Sequence, residues 1–211
     1  MMVGSLITLE GGEGAGKSTL LDGLRTHLAR RGIKPVLTRE PGGTPLGEKV
    51  RALVLGDGHG PVCAESELLL MFAARAQLVR ETLKPALRDG RVVLCDRFTD
   101  ASFAYQGGGR GQPAARIAEL ERWAVDGLVP DLTLLLDVPV DTGRQRIAGR
   151  AVSDRIERED DGFFERVRAA YRQRAAGDPA RFCLLDASQS AERVLAQAVR
   201  AVDQLLDGAG A

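Results

Sequence analysis

No excess of charge of either sign marks this chain: across 211 residues, 29 Lys and Arg are balanced by 29 Asp and Glu. That balance argues against a general nucleic-acid or membrane-surface binder, although it leaves room for a local basic site. Cysteine is scarce. Cys63, Cys95 and Cys183 stand far apart with no C-x-x-C pair, so neither a disulfide framework nor a thiolate metal site is indicated. Cys95 and Cys183 fall in apolar runs and read as buried free thiols suited to a reducing cytoplasm. No apolar run reaches membrane-spanning length, and the stretch before Glu10 is too short for a secretory signal, so a soluble, cytoplasmic protein is expected. Asparagine is absent altogether, which removes the N-K-x-D guanine reader of switch GTPases. Internal repeats and low-complexity tracts are absent as well.

What the chain does have is alternation. Apolar strand candidates recur at Leu6–Leu9, Lys34–Thr38, Arg91–Asp96, Asp131–Asp137 and Arg181–Asp186. The third and fourth are continuously apolar, as strands covered on both faces should be. Helical patterns separate them at Lys17–Arg31, Pro45–Leu55, Ser66–Arg88, Pro113–Asp126, Val140–Arg150, Asp161–Ala176 and Ala191–Leu206. Pro45 and Pro113 suit first-turn positions, and Ser66 suits a helix start. Strand–helix alternation predicts a three-layer α/β fold in which a five-stranded parallel sheet is flanked by helices. Loops are expected at 40–44, 56–60, 107–111 and 150–161, and the tail from Asp207 reads as frayed.

The strongest local signal is Gly11, Gly12, Glu13, Gly14, Ala15, Gly16, Lys17, Ser18, Thr19, which fits G-x-x-x-x-G-K-[ST] between a strand and a helix. In that setting backbone N–H groups and the helix dipole hold phosphates, Lys17 reaches the β- and γ-phosphates, and Ser18 takes a place on Mg²⁺. Alone it says nucleoside triphosphate and metal. Asp96-Arg97 closes the third strand, where an acid can hold metal-bound water and an arginine can fork onto a phosphate; an ordinary strand-end ion pair is the alternative. Ser102 to Gln106, followed by Gly107–Gly111, suits a base edge and sugar, or simply a polar turn around a packed tyrosine. Met71, Phe72 and Arg75 share one helical side, as a base platform or as plain core. The arginine-dense run with Arg146, Arg150, Arg155 and Arg158 is either a solvated face or a lid closing over a transferred phosphoryl group.

Seven pieces together resemble the thymidylate kinase family of P-loop nucleoside monophosphate kinases. They are G-G-E-G-A-G-K-S-T (11–19), T-R-E-P-G-G-T (38–44), M-F-A-A-R (71–75), C-D-R-F (95–98), A-Y-Q-G-G-G-R-G (104–111), P-D-L-T-L-L-L-D-V (130–138) and D-R-I-E (154–157). The second and fifth are distinctive; the first is shared by many families. The resemblance implies one P-loop kinase domain over residues 1–211, with a lid at about 148–160. It implies ATP-dependent phosphorylation of dTMP to dTDP in dTTP biosynthesis, with Mg²⁺, and a homodimer with neither nucleic-acid nor membrane partners.

Under that resemblance Lys17, Arg97, Arg155, Glu13 and Asp96 are catalytic, residues 11–19 bind ATP, and Ser18 and Asp96 serve the metal. Glu13, Glu40, Pro41, Arg51, Phe72, Arg75, Arg97, Ser102, Tyr105 and Gln106 would form the dTMP site, with Arg75, Ser102 and Gln106 on the thymine edge. A cis bond at Glu40-Pro41 fits the acceptor pocket. Some members place an arginine in the phosphate loop where this chain has Gly14, so the missing cation falls to the lid, to Arg155 with Arg150. The thymine-stacking aromatic is expected four residues before Arg75, where Met71 stands and Phe72 is its neighbour. A kinase for another monophosphate or a deoxynucleoside is the near alternative, and a non-catalytic nucleotide binder the distant one.

Overall fold

The computed structural model describes residues 4–58, 60–149 and 154–208. Its centre is a parallel sheet in the order β2-β3-β1-β4-β5, formed by β1 (Leu6–Gly11), β2 (Val36–Arg39), β3 (Val93–Asp96), β4 (Leu132–Asp137) and β5 (Phe182–Asp186). Burial follows position in the sheet. Every residue of β1 is buried, whereas edge strand β2 alternates between half-buried and exposed side chains. Continuous apolar sequence therefore marks the central strands, and alternation marks an edge.

Helices α1 (Lys17–Arg30) and α9 (Ala191–Gly208) cover one face. Leu20, Leu24 and Leu28 of α1 meet Val194, Ala198 and Val202 of α9 over Ile7, Leu9, Leu94, Leu134 and Leu136. The opposite face carries α2 (Pro45–Leu55), α3 (Ala64–Leu78), α4 (Lys84–Arg88), α5 (Thr99–Ser102), α6 (Ala114–Val125) and α8 (Asp161–Gly177); α7 (Val140–Ile147) follows β4. Two caps are legible in the residues. Thr44 accepts from Gly47 N at 2.9 Å with Pro45 in the first turn, and Asp160 accepts from Phe163 N at 2.7 Å. Each satisfies one of the free N–H groups at a helix start.

Several expected boundaries shift. The helix expected over 66–88 begins at Ala64, after Cys63, so Ser66 lies inside its first turn rather than at the cap. It then passes through a π-helical turn, Val79–Leu83, before α4, because Pro85 cannot continue the regular hydrogen-bond ladder. Pro113 is the cap of α6 rather than its first helical residue. Gly107–Gly109 are not loop. They end a π-helical segment, Phe103–Gly109, pressed against α8: a Cβ at Gly109 would stand 2.4 Å from the Phe163 ring, and one at Gly108 2.7 Å from the Ala170 Cβ. Their small size serves helix packing. Asp207 is helical and its carboxylate accepts from Arg31 Nη2 at 2.6 Å, so the tail is ordered at least to Gly208. Cys95 is buried as expected, Cys183 on edge strand β5 is only half-buried, and Cys63 is exposed. Arg150 and residues 151–153 of the expected lid lie outside the described residues.

Candidate active site

The carboxyl ends of β1 and β3 open into a cleft of about 270 Å³, where an open α/β sheet places its ligands. Glu13, Gly14, Ala15, Gly16, Lys17, Ser18 and Thr19 line one side; Glu40, Pro41, Arg51, Met71, Asp96, Arg97, Tyr105 and Gln106 line the rest. Gly11 and Gly12 lie beneath, and their carbonyls accept from Lys17 Nζ at 3.1 and 3.0 Å. Burial, and then the nearby Arg97, depress the Lys17 amine below its ordinary value. Gly14 has φ +69°, and a Cβ there would stand 2.0 Å from the carbonyl oxygen of Gly143 in α7. The loop therefore runs in contact with α7, and no side chain fits at that position without parting the two.

Arg97 is the centre of the site. Its φ of +68° is rare for a residue with a Cβ, and it turns the side chain back over the end of β1. There Nη1 donates to Gly11 O at 2.8 Å and to Tyr171 Oη at 3.2 Å, and Nη2 donates to Glu13 Oε1 at 2.5 Å. Tyr105 Oη donates to the same Glu13 oxygen at 2.8 Å, and the guanidinium sits 4.7 Å from the Tyr105 ring centroid. Beneath lies Glu10, fully buried, accepting from Tyr171 Oη at 2.6 Å and from Phe98 N at 2.7 Å. Burial, with Asp100 adding to it, pushes the Glu10 carboxyl up to about 8. Glu10 and Tyr171 thus fix Arg97 from below. Tyr171 escaped the sequence reading because one tyrosine in a helix 74 residues downstream of Arg97 carries no local signal.

Glu40, Arg75 and Ser102 form a second buried group. Arg75 Nε donates to Glu40 Oε2 at 2.6 Å, Nη1 to Ser102 Oγ at 2.9 Å and Nη2 to Phe98 O at 3.0 Å. Burial raises the Glu40 carboxyl above its usual range, while Arg75 opposes the rise. Arg75 and Ser102 are wholly inaccessible and do not line the cleft, so they stand behind it; Glu40 is the member that reaches it. The Glu40-Pro41 bond is cis, and the Pro41 carbonyl accepts from Arg51 Nη1 at 3.1 Å.

Besides Arg75 and Ser102, which were expected on the thymine edge, two further expectations are displaced. Phe72 faces away from the cleft and packs with Leu68, Ile117 and Ala124, its ring 4.5 Å from the Arg75 guanidinium; Met71 is the one that lines the cleft. One residue along a helix is about 100° of rotation, enough to separate the two faces. Arg155 is turned from the cleft as well. Its Nε donates to Val54 O at 2.9 Å and its Nη2 to Glu67 Oε2 at 2.5 Å, whereas Asp154, Ile156 and Glu157 beside it do line the cleft. A further groove, unforeseen in the sequence, adjoins the phosphate loop between Gly14–Gly16, Arg146, Ala187 and Gln189. Arg39, at the end of β2, also lines the main cleft, although it was not among the expected site residues.

A family model described as thymidylate kinase matches residues 9–198. The chain belongs to the thymidylate kinase family. Among its relatives in that family, the thymidylate kinase of Pseudomonas putida (strain F1) is 56% identical over 207 residues, covering 98% of this chain and 97% of that one. The thymidylate kinase of Alkalilimnicola ehrlichii is 57% identical over 196 residues, covering 92% and 90%. That of Pseudomonas syringae pv. tomato is 52% identical over 206 residues, covering 98% of each. The family match spans the phosphate loop, both strand ends at the cleft and the segment carrying Arg155.

Proposed function

We propose that the chain transfers the γ-phosphoryl group of ATP to the 5′-phosphate of dTMP, giving ADP and dTDP, a step in dTTP biosynthesis. The observation that carries this reading is the bridge from Glu13 to Arg97. A phosphate-loop acid is tied directly to an arginine at the end of β3, inside one cleft, within a chain of this family. That bridge joins a donor half, residues 11–19, to an acceptor half built from Glu40, Pro41, Arg51, Met71, Tyr105 and Gln106. Lys17 and the loop amides hold the ATP phosphates, and the groove that adjoins the loop beside Arg146 and Gln189 takes the nucleoside end of ATP in this reading. Arg97 holds the dTMP phosphate for in-line attack, with Glu13 beside it and Tyr105 under the sugar. Arg75 and Ser102 stiffen the pocket from behind, while Gln106 faces the base.

Mg²⁺ fits the residues present. Asp96 Oδ1 is buried without a hydrogen-bond partner, and Asp96 and Ser18 both line the cleft. Magnesium is commonly held by one or two carboxylates with substrate phosphates and water, and among the described residues no group of three or more His, Cys, Asp and Glu competes as a protein cage. Bound there, it would neutralise charge on the bridging phosphate oxygens. Arg155 is the lid cation that the loop lacks at Gly14, and it acts after exchanging its contacts with Val54 and Glu67 for the phosphoryl group.

The same reading takes residues 1–211 as one kinase domain with a lid over about 148–160, working in the cytoplasm as a homodimer. No helix among the described residues is long and apolar enough to cross a membrane. Trp123 of α6 and Leu69 of α3 are 79% and 57% exposed on neighbouring helices, which supports a paired face there. An ADP-release assay across dTMP, dUMP, dCMP, dGMP and thymidine tests the substrate. Preference for any acceptor but dTMP overturns it, and absence of turnover with both ligands bound revives a mere binder.

A further inference from the structure

One buried carboxylate behind the cleft gathers three side chains that serve different parts of the site. Glu67, in the first turn of α3, is fully buried and lines no part of the cleft. Gln106 Nε2 donates to its Oε1 at 2.9 Å. Arg110 Nε stands 3.3 Å from both of its oxygens, and Arg155 Nη2 donates to Oε2 at 2.5 Å. Burial works against the charge, but the Gln106 and Arg155 hydrogen bonds, with Arg110 nearby, outweigh it and hold the carboxyl below its ordinary range.

An ionised carboxylate only accepts hydrogen bonds. The NH₂ end of the Gln106 amide is therefore the end that faces Glu67, since the reversed amide would set oxygen against oxygen. The other end is then fixed too. Gln106 Oε1 is buried without a partner, and Gln106 lines the cleft beside Met71 and Tyr105. A buried acceptor left without a donor is costly, and a ligand N–H placed against it removes that cost.

We propose that Glu67 is a positioning residue that sets base specificity: by fixing the Gln106 amide, it presents an acceptor to the base and selects a pyrimidine that carries N3–H. Thymine and uracil carry that hydrogen; neutral cytosine has a lone pair at N3, which would face the Gln106 oxygen with no proton between them. A site built around such a hydrogen bond rejects the analogue that cannot make it far more strongly than an apolar pocket rejects a lost methylene. The assignment rests on reading the cleft as the dTMP site. It adds that the discriminating atom is aimed by a residue that never touches the base. Because the same carboxylate holds Arg155, base reading and the lid share one anchor.

The test is the ratio of kcat/KM for dTMP to that for dCMP in the wild type and in Glu67→Gln, with dCMP measured as a competitive inhibitor where its own turnover is too slow. A glutamine at 67 donates as well as accepts, so it no longer dictates which way Gln106 lies. The ratio should fall by at least about tenfold, with the KM for ATP little changed. General damage to packing or to the lid lowers both substrates together, so a ratio preserved within about twofold overturns the proposal. Should Glu67→Gln not fold, Glu67→Asp keeps the charge but withdraws it by one methylene, and the same two outcomes apply. The wild type adds an arm of its own: dTMP methylated at N3 should bind far more weakly than dTMP, and equal binding overturns the acceptor assignment. A wild type that turned over no dTMP would instead defeat the function itself, which is a different result from a dTMP kinase whose selectivity ignores position 67.

Discussion

Gly12, Gly14 and Gly16 lie in one loop and respond differently to the same added methyl group. At Gly12 an alanine Cβ has nothing within 4 Å, and φ is not positive. Gly16 also has open space but holds φ at +95°, so alanine incurs the left-handed penalty of about 1–2 kcal/mol. Gly14 has both problems: φ is +69°, and the new Cβ would stand 2.0 Å from Gly143 O, against an ordinary carbon contact of about 3.5–4.0 Å. Overpacking of that kind adds about 1–3 kcal/mol, for a total near 2–5 kcal/mol. The unfolded-state gain from Gly→Ala is the same at all three and cancels in the comparison. Thermal unfolding should therefore rank Gly12→Ala near wild type, Gly16→Ala lower, and Gly14→Ala lowest, by on the order of 10 °C. Activity should fall with it. To admit the methyl, loop and α7 must part by at least about 1 Å, and a misplacement of that size can cost about 100-fold in rate. Equal melting temperatures for Gly14→Ala and Gly12→Ala, or a normal kcat/KM for ATP in Gly14→Ala, would refute the contact with α7 and the claim that it excludes a loop arginine.

Two further outcomes are expected. Arg155→Ala should lower kcat by orders of magnitude while leaving dTMP affinity nearly intact, because its contact with the phosphoryl group forms mainly in the transition state; an unchanged kcat removes it as the lid cation. Burial pushes the Glu10 carboxyl up to about 8 in the folded chain, against 4.5 for a free glutamate. Between those values the folded chain holds a proton that the unfolded chain has released, so this group makes stability fall as pH rises from about 4.5 to 8, by up to about 1.4 kcal/mol per pH unit. Denaturant titrations across that window should give a flatter curve for Glu10→Gln than for the wild type, and coincident curves would contradict the buried, protonated carboxyl.

Some of this molecule was legible in its residues and some was not, for physical reasons. Central strands β3 and β4 announced themselves because burial on both faces demands unbroken apolar sequence. The phosphate loop did so because its spacing is set by backbone geometry around a phosphate. The π-helical segment through Gly107–Gly109 did not: three consecutive glycines look like a loop, and only the proximity of Phe163 and Ala170 reveals that they are small because α8 lies against them. Met71 and Phe72 could not be told apart, since both lie within a turn of Arg75 and only tertiary packing decides which faces the cleft.

A deeper limit concerns buried charge. The arginines that bear on the site could be picked out by type and motif, and Glu40 with them, but Glu10 and Glu67 could not. Glu10 fixes Tyr171, which with Gly11 and Glu13 fixes Arg97; Glu40 holds Arg75; Glu67 holds Arg155 and Arg110. All three acids are buried to within a few per cent, in surroundings where an ionised group is tolerated only when paired; Glu40 and Glu67 are paired with arginines, and Glu10, pushed up to about 8, keeps its proton. Each is costly to keep for stability alone, because an apolar residue of similar volume often serves a core as well or better. They differ in position: Glu10 and Glu67 lie behind the cleft, bonded to Tyr171, which holds Arg97, and to Gln106 and Arg155, whereas Glu40 reaches the cleft and holds Arg75 behind it. Removing the acid while leaving its partner should therefore cost more activity than its own distance from substrate suggests, because a long cation freed from its anchor samples many rotamers while the transferring phosphoryl group requires one.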